Sequence, residues 1–169
     1  PAVLAATRRT GIAVRAADDL VWRDLELLRE RWPGKLIVKG ILAPEDAEKA
    51  VALGADGIVV SNHGGRTVDS FPASIETLPA VKGAVGERAT VMVDSGIRRG
   101  SDVVKALALG ADAVLLGRSL LYGVAAGGGE GATRALNIIE AETLQTMGLL
   151  GQSNIAELPD AILHGCGGK

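Results

Sequence analysis

Cysteine is nearly missing from this chain. The single one, Cys166, lies in a Gly-rich tail, which excludes an intrachain disulfide framework and a cysteine-based zinc site. Aromatic side chains are as scarce: Trp22, Trp32, Phe71 and Tyr122 are all there are, against 23 glycines. No run of about 18 apolar residues occurs, so no transmembrane helix is expected. No charged-then-apolar leader opens the chain, and the expected location is the cytoplasm. Neither charge sign dominates: 18 basic and 20 acidic residues leave a net charge of −2. A global field that would attract nucleic acid is therefore absent, and any anion site must be local. A glycine-rich P-loop, HExxH and GxSxG are absent too.

What remains is one domain's worth of ordinary globular sequence, 169 residues with 47 % hydrophobic and 22 % charged. The chain starts at Pro1 rather than Met, and a fragment is expected. It carries an internal repeat. GILAPEDAEKAVALGADGIVV from Gly40 aligns without a gap on GIRRGSDVVKALALGADAVLL from Gly96, pairing Gly54-Ala55-Asp56 with Gly110-Ala111-Asp112. Each copy follows a short aliphatic run, Leu36-Ile37-Val38 or Val91-Met92-Val93, too short for a helix and apolar enough for a buried strand. Each then shows an acidic helix start, apolar residues at helical spacing, a stopping glycine, and a second aliphatic run. The repeated unit is βαβ.

Along the chain the pattern predicts helices over 20–32, 44–53, 73–86, 100–109 and 131–147, and strands over 35–39, 57–61, 90–94 and 113–117. Residues 1–17 and 123–130 read as loops. Apolar strands alternating with helices indicate a parallel sheet covered on both faces, and four such units correspond to half of a (β/α)8 TIM barrel. A complete barrel takes about 250 residues, so either the sheet is an open half or the first half is expected on a separate polypeptide or to have been lost.

In such architectures chemistry collects at the carboxyl ends of strands. Those ends are polar here: Lys39; Ser61-Asn62-His63-Gly64-Gly65-Arg66; Asp94-Ser95-Gly96-Ile97-Arg98-Arg99; and Gly117-Arg118. Arg98 and Arg118 follow the last two strands, where barrels frequently bind phosphate, with Gly96 and Gly117 allowing backbone approach. The competing structural role is pairing with surface carboxylates, and Arg99 reads as a solvated charge at a helix start. His63 stands at the rim beside glycine, where a ligand can come close, while His164 in the tail lacks such a setting. Arg66 offers a planar fork suited to a carboxylate or phosphate. Lys39 suits a Schiff-base amine, a phosphate ligand or a fixed charge beside a cofactor, and Asp94 and Ser61 are as compatible with structural hydrogen bonding as with a ligand.

Taken together and in order, Val38-Lys39-Gly40, the SNHGGR string from Ser61 to Arg66, Asp94 to Asp102, and Leu116-Gly117-Arg118 resemble the FMN-dependent α-hydroxy acid dehydrogenase and oxidase family. The resemblance covers residues 18 to 150 and only that family's C-terminal half, about strands 5–8 of the barrel. It implies oxidation of an (S)-2-hydroxy acid of the lactate, glycolate or mandelate type to the 2-oxo acid. It puts the active-site base on His63, the substrate carboxylate on Arg66, and the charge beside the flavin on Lys39. Ser61 would touch FMN. Asp94, Ser95, Gly96, Ile97 and Arg98 would hold its ribityl chain and phosphate, with Gly117 and Arg118 completing the phosphate cup.

The resemblance further implies an electron acceptor (oxygen, a quinone or a cytochrome), a companion N-terminal half and a tetramer. Residues 1–17 become the tail of the loop after strand four, and 151–169 a C-terminal extension. Some relatives attach to membranes through that loop. Ser95 departs from the second glycine of many relatives, toward the mandelate dehydrogenase branch. The family's active-site tyrosines lie upstream, so the fragment alone is expected to be inactive. An IMP dehydrogenase-like enzyme would need a catalytic cysteine loop, for which Cys166 is misplaced. A rival of another class is a non-catalytic half-barrel that binds phosphate or serves as an assembly module.

Overall fold

The computed structural model describes residues 20–66 and 68–158. The expected loop over 1–17, His164 and Cys166 lie outside the described residues. Helix α1 (Trp22–Arg31) leads into strand β1 (Ile37–Ile41), followed by α2 (Pro44–Ala52), β2 (Gly57–Val60), α3 (Ser74–Val85), β3 (Thr90–Val93), α4 (Gly100–Ala108), β4 (Ala113–Val114) and α5 (Arg118–Leu149). The four strands form one sheet in the order β1-β2-β3-β4, with every pair parallel. Order and direction are those of consecutive βα units in half a barrel.

The repeat folds twice in the same way. At the end of α2, Ala55 and Gly54 donate backbone hydrogen bonds to Ala50 and Val51; at the end of α4, Ala111 and Gly110 donate to Ala106 and Leu107. Both ends are therefore Schellman turns. Ala50 and Ala106 are fully buried, because only a small side chain fits where each helix presses on the sheet.

Register sorts the strand residues onto two faces. Ile58, Val60, Val91 and Val93 belong to the hydrophobic core with Leu78, Val81, Val85 and Ala106 of the helices, and half-buried Val38 and Val114 pack against it. Each fully buried Val or Leu contributes about 1.5–3 kcal/mol relative to exposure. Ile37, Val59, Met92 and Leu115 point the other way, and none belongs to that core. Ile37 is 52 % exposed and Leu115 37 %. The expectation of cover on both faces is thus corrected: among the described residues the helices pack on one face. Its partner face is apolar because a barrel interior and a helix-covered face demand the same side chains.

Two boundaries also differ. The region 123–130, expected as a loop, is part of α5, whose two arms meet at a kink at Gly127–Gly128. Gly123 on the first arm lies against the backbone of Gly131 on the second, and a Cβ at either would collide with the other's carbonyl. Glycines that raise the local cost of a helix are here what lets two helical arms touch. Strand β1 runs on to Ile41 through a register shift between Lys39 and Ile41. Gly40 is the extra residue, at φ 99°, and it turns Ile41 into the core while leaving Lys39 on the open face.

Candidate active site

A cavity of about 420 Å³ opens at the carboxyl ends of the strands, within the range of small-molecule sites. Lys39, His63, Arg66, Arg98 and Arg118 all line it. Asp94, Ser95, Gly96, Ile97 and Gly117 line it as well, so of the expected site residues only Ser61 does not.

Ser61 is buried, with 1 % exposure, and its Oγ accepts from Lys39 Nζ at 2.9 Å and from the His63 amide at 3.1 Å. With both acceptor positions of its hydroxyl taken, Ser61 braces the site from behind.

Lys39 makes an ion pair with Asp94 Oδ2 at 2.9 Å, and Ser95 Oγ donates to Asp94 Oδ1 at 2.9 Å. Burial pushes the Asp94 carboxyl up, but hydrogen bonds from Ser61, Lys39 and Ser95 outweigh it and hold the group below its ordinary value. The positive charge of Lys39 is thus shared with an anion.

His63 opens a 3₁₀ turn, His63–Gly65, directly after β2. Its φ is 55°, in the left-handed region, and Ser95 at φ 73° is the other described non-glycine residue there. The imidazole lies against Gly40: a Cβ at that glycine would sit 2.7 Å from His63 Nε2. The bulge of β1 therefore makes room for the ring. Asn62, whose role was missed from sequence, holds the turn. Its Oδ1 accepts from the Gly64 amide at 3.0 Å, its Nδ2 donates to the Pro72 carbonyl at 3.3 Å, and its own amide donates to Ser74 Oγ at 3.0 Å. An Asn two residues before a glycine after an apolar strand is the signal that could have found it.

Arg118, first residue of α5, donates to the Gly64 carbonyl at 3.2 Å and ties this turn to the last strand's loop. Ser119 and Leu121, also missed, line the same wall one and three residues after it. Among the described residues, Arg66, Arg98 and Arg118 have no carboxylate partner, whereas Arg23, Arg29, Arg88 and Arg99 each do. Arg99, read as a solvated charge, is 70 % exposed yet pairs with Glu142 at 2.8 Å. The lining thus concentrates four cations (Lys39, Arg66, Arg98 and Arg118) around one carboxylate, Asp94. Such a set suits an anionic ligand. A Cβ at Gly96 or Gly117 would meet nothing within 4 Å, so space exists for a group pressed against the backbone between the arginines. The chemistry of this lining fits a flavin mononucleotide: guanidiniums suit a phosphate, and Asp94 and Ser95 can hydrogen-bond hydroxyls.

Comparison with known proteins agrees. The chain is 51 % identical over 142 residues to an L-lactate dehydrogenase of Acinetobacter baylyi, covering 84 % of this chain and 37 % of that protein. Among solved structures it is similar to the monotopic membrane protein (S)-mandelate dehydrogenase, with 43 % identity and a TM-score of 0.83 over 94 % of this chain and 40 % of that one. It is likewise similar to a mandelate oxidase variant with a monooxide FMN adduct, at 43 % identity and a TM-score of 0.80, over 83 % of this chain and 45 % of that one. The chain spans less than half the length of these relatives, so its four βα units are a partial barrel. No helix among the described residues is long and apolar enough to cross a membrane. The profile of the FMN-dependent dehydrogenases matches residues 4–165, and with these relatives it shows that the chain belongs to the FMN-dependent α-hydroxy acid dehydrogenase family.

Proposed function

We propose that this chain carries the reactive rim of an enzyme that oxidises an (S)-2-hydroxy acid of the lactate, glycolate or mandelate type to the 2-oxo acid. The observation that carries this is the convergence of Lys39, His63, Arg66, Arg98 and Arg118 on one cavity. When bound, FMN supplies the acceptor for the substrate's two electrons. Arg66, with no carboxylate partner of its own among the described residues, grips the substrate carboxylate through its planar fork. His63 takes a proton from the substrate, its ring held in place by the turn and by Gly40. Lys39 provides a fixed cation, steadied by Asp94 and Ser61. Arg98, Arg118, Gly96 and Gly117 hold the cofactor's phosphate, and Asp94, Ser95 and Ile97 its ribityl chain, while Ser61 supports that wall. Oxygen, a quinone or a cytochrome serves as second electron acceptor.

A companion N-terminal half completes the barrel. Exposed Ile37 and Leu115 on the face away from the helices, and the outer edges of β1 and β4, which have no strand partner among the described residues, support this. The assembled enzyme is expected to be a tetramer in the cytoplasm, checked by light scattering and cell fractionation. Recovery in the membrane pellet would overturn the cytoplasmic assignment.

The test is to purify the chain together with its companion half and record the visible spectrum. Flavin bands at roughly one FMN per chain, bleached without oxygen by lactate, glycolate or mandelate, are expected. Colourless protein that still binds phosphate would replace this proposal by a non-catalytic half-barrel.

A further inference from the structure

His63 and Ser95, the two described non-glycine residues in the left-handed region, lie next to each other in space although they stand in different loops. One hydrogen bond joins their loops: the amide of Gly64, the residue after His63, donates to Ser95 Oγ at 2.9 Å. The same hydroxyl donates to Asp94 Oδ1 at 2.9 Å. One residue earlier, the His63 amide donates to Ser61 Oγ at 3.1 Å, and that hydroxyl accepts from Lys39 Nζ at 2.9 Å. The Ser95 hydroxyl thus hangs the Gly64 amide from the Asp94 carboxylate, which Lys39 anchors in turn at 2.9 Å.

Left-handed backbone on a residue with a Cβ persists only where its surroundings over-determine it. Glycine would adopt the Ser95 conformation without strain, so backbone geometry alone does not call for serine there. Its hydroxyl supplies what glycine lacks, an acceptor for the Gly64 amide and a donor to Asp94. Asn62 Oδ1 also accepts from that amide, at 3.0 Å, but Asn62 is braced against Pro72 and Ser74 on the far side of the turn. Only Ser95 connects the turn to the Asp94–Lys39 pair through Gly64.

We propose that Ser95 is a positioning residue for His63. Its hydroxyl relays the Asp94 anchor to the Gly64 amide and so holds the His63 turn in the conformation that sets the imidazole beside Gly40 and over the cavity. The role assigned to Ser95 rests on the proposed function, in which His63 is the base, and adds to its contact with the cofactor.

Two substitutions separate hydroxyl from strain. Ser95→Ala removes the hydroxyl and keeps the strained backbone, while Ser95→Gly removes both and guards against misfolding of the alanine variant. Hydrogen exchange at the Gly64 amide is followed in the assembled protein without flavin, and steady-state rates with a 2-hydroxy acid are measured after loading with FMN. Both variants are expected to exchange Gly64 at least tenfold faster. Both are expected to lose about tenfold in kcat at saturating FMN, with KM within twofold of the parent. Ser95→Gly should melt no lower than the parent. Unchanged Gly64 exchange in both variants overturns the proposal, as does kcat retained in both at saturating FMN, which would leave Ser95 a cofactor ligand only. If lactate, glycolate and mandelate all fail to reduce the flavin of the unsubstituted protein, the proposed function falls, and the exchange comparison still decides whether Ser95 holds the turn.

Discussion

The two ends of this sheet treat charge in opposite ways. At the amino end, Asp56 and Asp112, the equivalent residues of the repeat, each accept from a backbone amide that starts a strand: Leu36 at 2.9 Å and Val91 at 2.7 Å. Each also neutralises cations. Asp56 takes Arg29 at 3.1 Å and Lys35 at 2.8 Å, and Asp112 takes Lys82 at 3.1 Å. At the carboxyl end, Arg66, Arg98 and Arg118 face a cavity with no carboxylate of their own among the described residues. An end that satisfies its charges internally holds the fold together, and an end that leaves cations open spends that field on a ligand. The repeat placed a stabilising aspartate at both amino-end loops; its carboxyl-end loops share no such residue.

The largest break in that comparison comes from the open end. His63→Gln in the FMN-loaded, assembled protein is expected to slow flavin reduction by a 2-hydroxy acid by about 10²–10⁴-fold, the usual contribution of a general base. Stopped-flow absorbance measures it, and an unchanged rate removes His63 from the reaction.

Neighbouring arginines sharpen the contrast next. Arg98→Ala is expected to weaken FMN binding by about ten- to a hundredfold, the worth of one charge-assisted hydrogen bond. Arg99→Ala, which breaks the pair with Glu142, should leave FMN affinity unchanged. Flavin-fluorescence titration compares the two, and equal losses would abolish the distinction between paired and open arginines.

A smaller effect is expected at the closed end. Asp112→Ala leaves the Val91 amide without its acceptor and Lys82 without its pair, costing about 1–2 kcal/mol by chemical denaturation. Flavin affinity should not move; if it does, the two ends are coupled.

The smallest effect is a pH dependence. The hydrogen bond from Lys35, with that from the Leu36 amide, holds the Asp56 carboxyl down at about 2. Because the folded value lies below the unfolded one of about 4, this stabilisation is complete above pH of about 4 and is lost as pH falls toward about 2. Asp56→Asn should therefore flatten the acid limb of melting temperature against pH between those limits. An acid limb with the parent's slope would show that Asp56 contributes nothing there.

Much of this was legible because it is local. Helix and strand periods, the repeated stops at Gly54 and Gly110, and polar strand ends all follow from neighbours a few residues apart. Lys39, His63, Arg66, Arg98 and Arg118 were assigned to one rim because parallel strands bring their carboxyl ends to one side. The bracing role of Ser61 was not legible, because sequence shows a hydroxyl at a strand end but not how many partners it has already taken. The first arm of α5 was hidden because the glycines that discourage a helix are needed where Gly123 meets Gly131. Cover on both faces was an overstatement for a related reason: apolar strands look alike whether helices or the inside of a barrel face them.

By itself, the order of residues determined a doubled βαβ unit, a parallel sheet and a polar rim, since these depend on period and stop signals within each segment. Only the tertiary structure decided that Gly40 bulges to admit the imidazole, that Asp94 anchors Lys39 and the Ser95 hydroxyl, and that Arg66, Arg98 and Arg118 have no carboxylate partner among the described residues while other arginines pair. Those outcomes are distances between groups remote in the chain, which packing sets and local sequence does not encode.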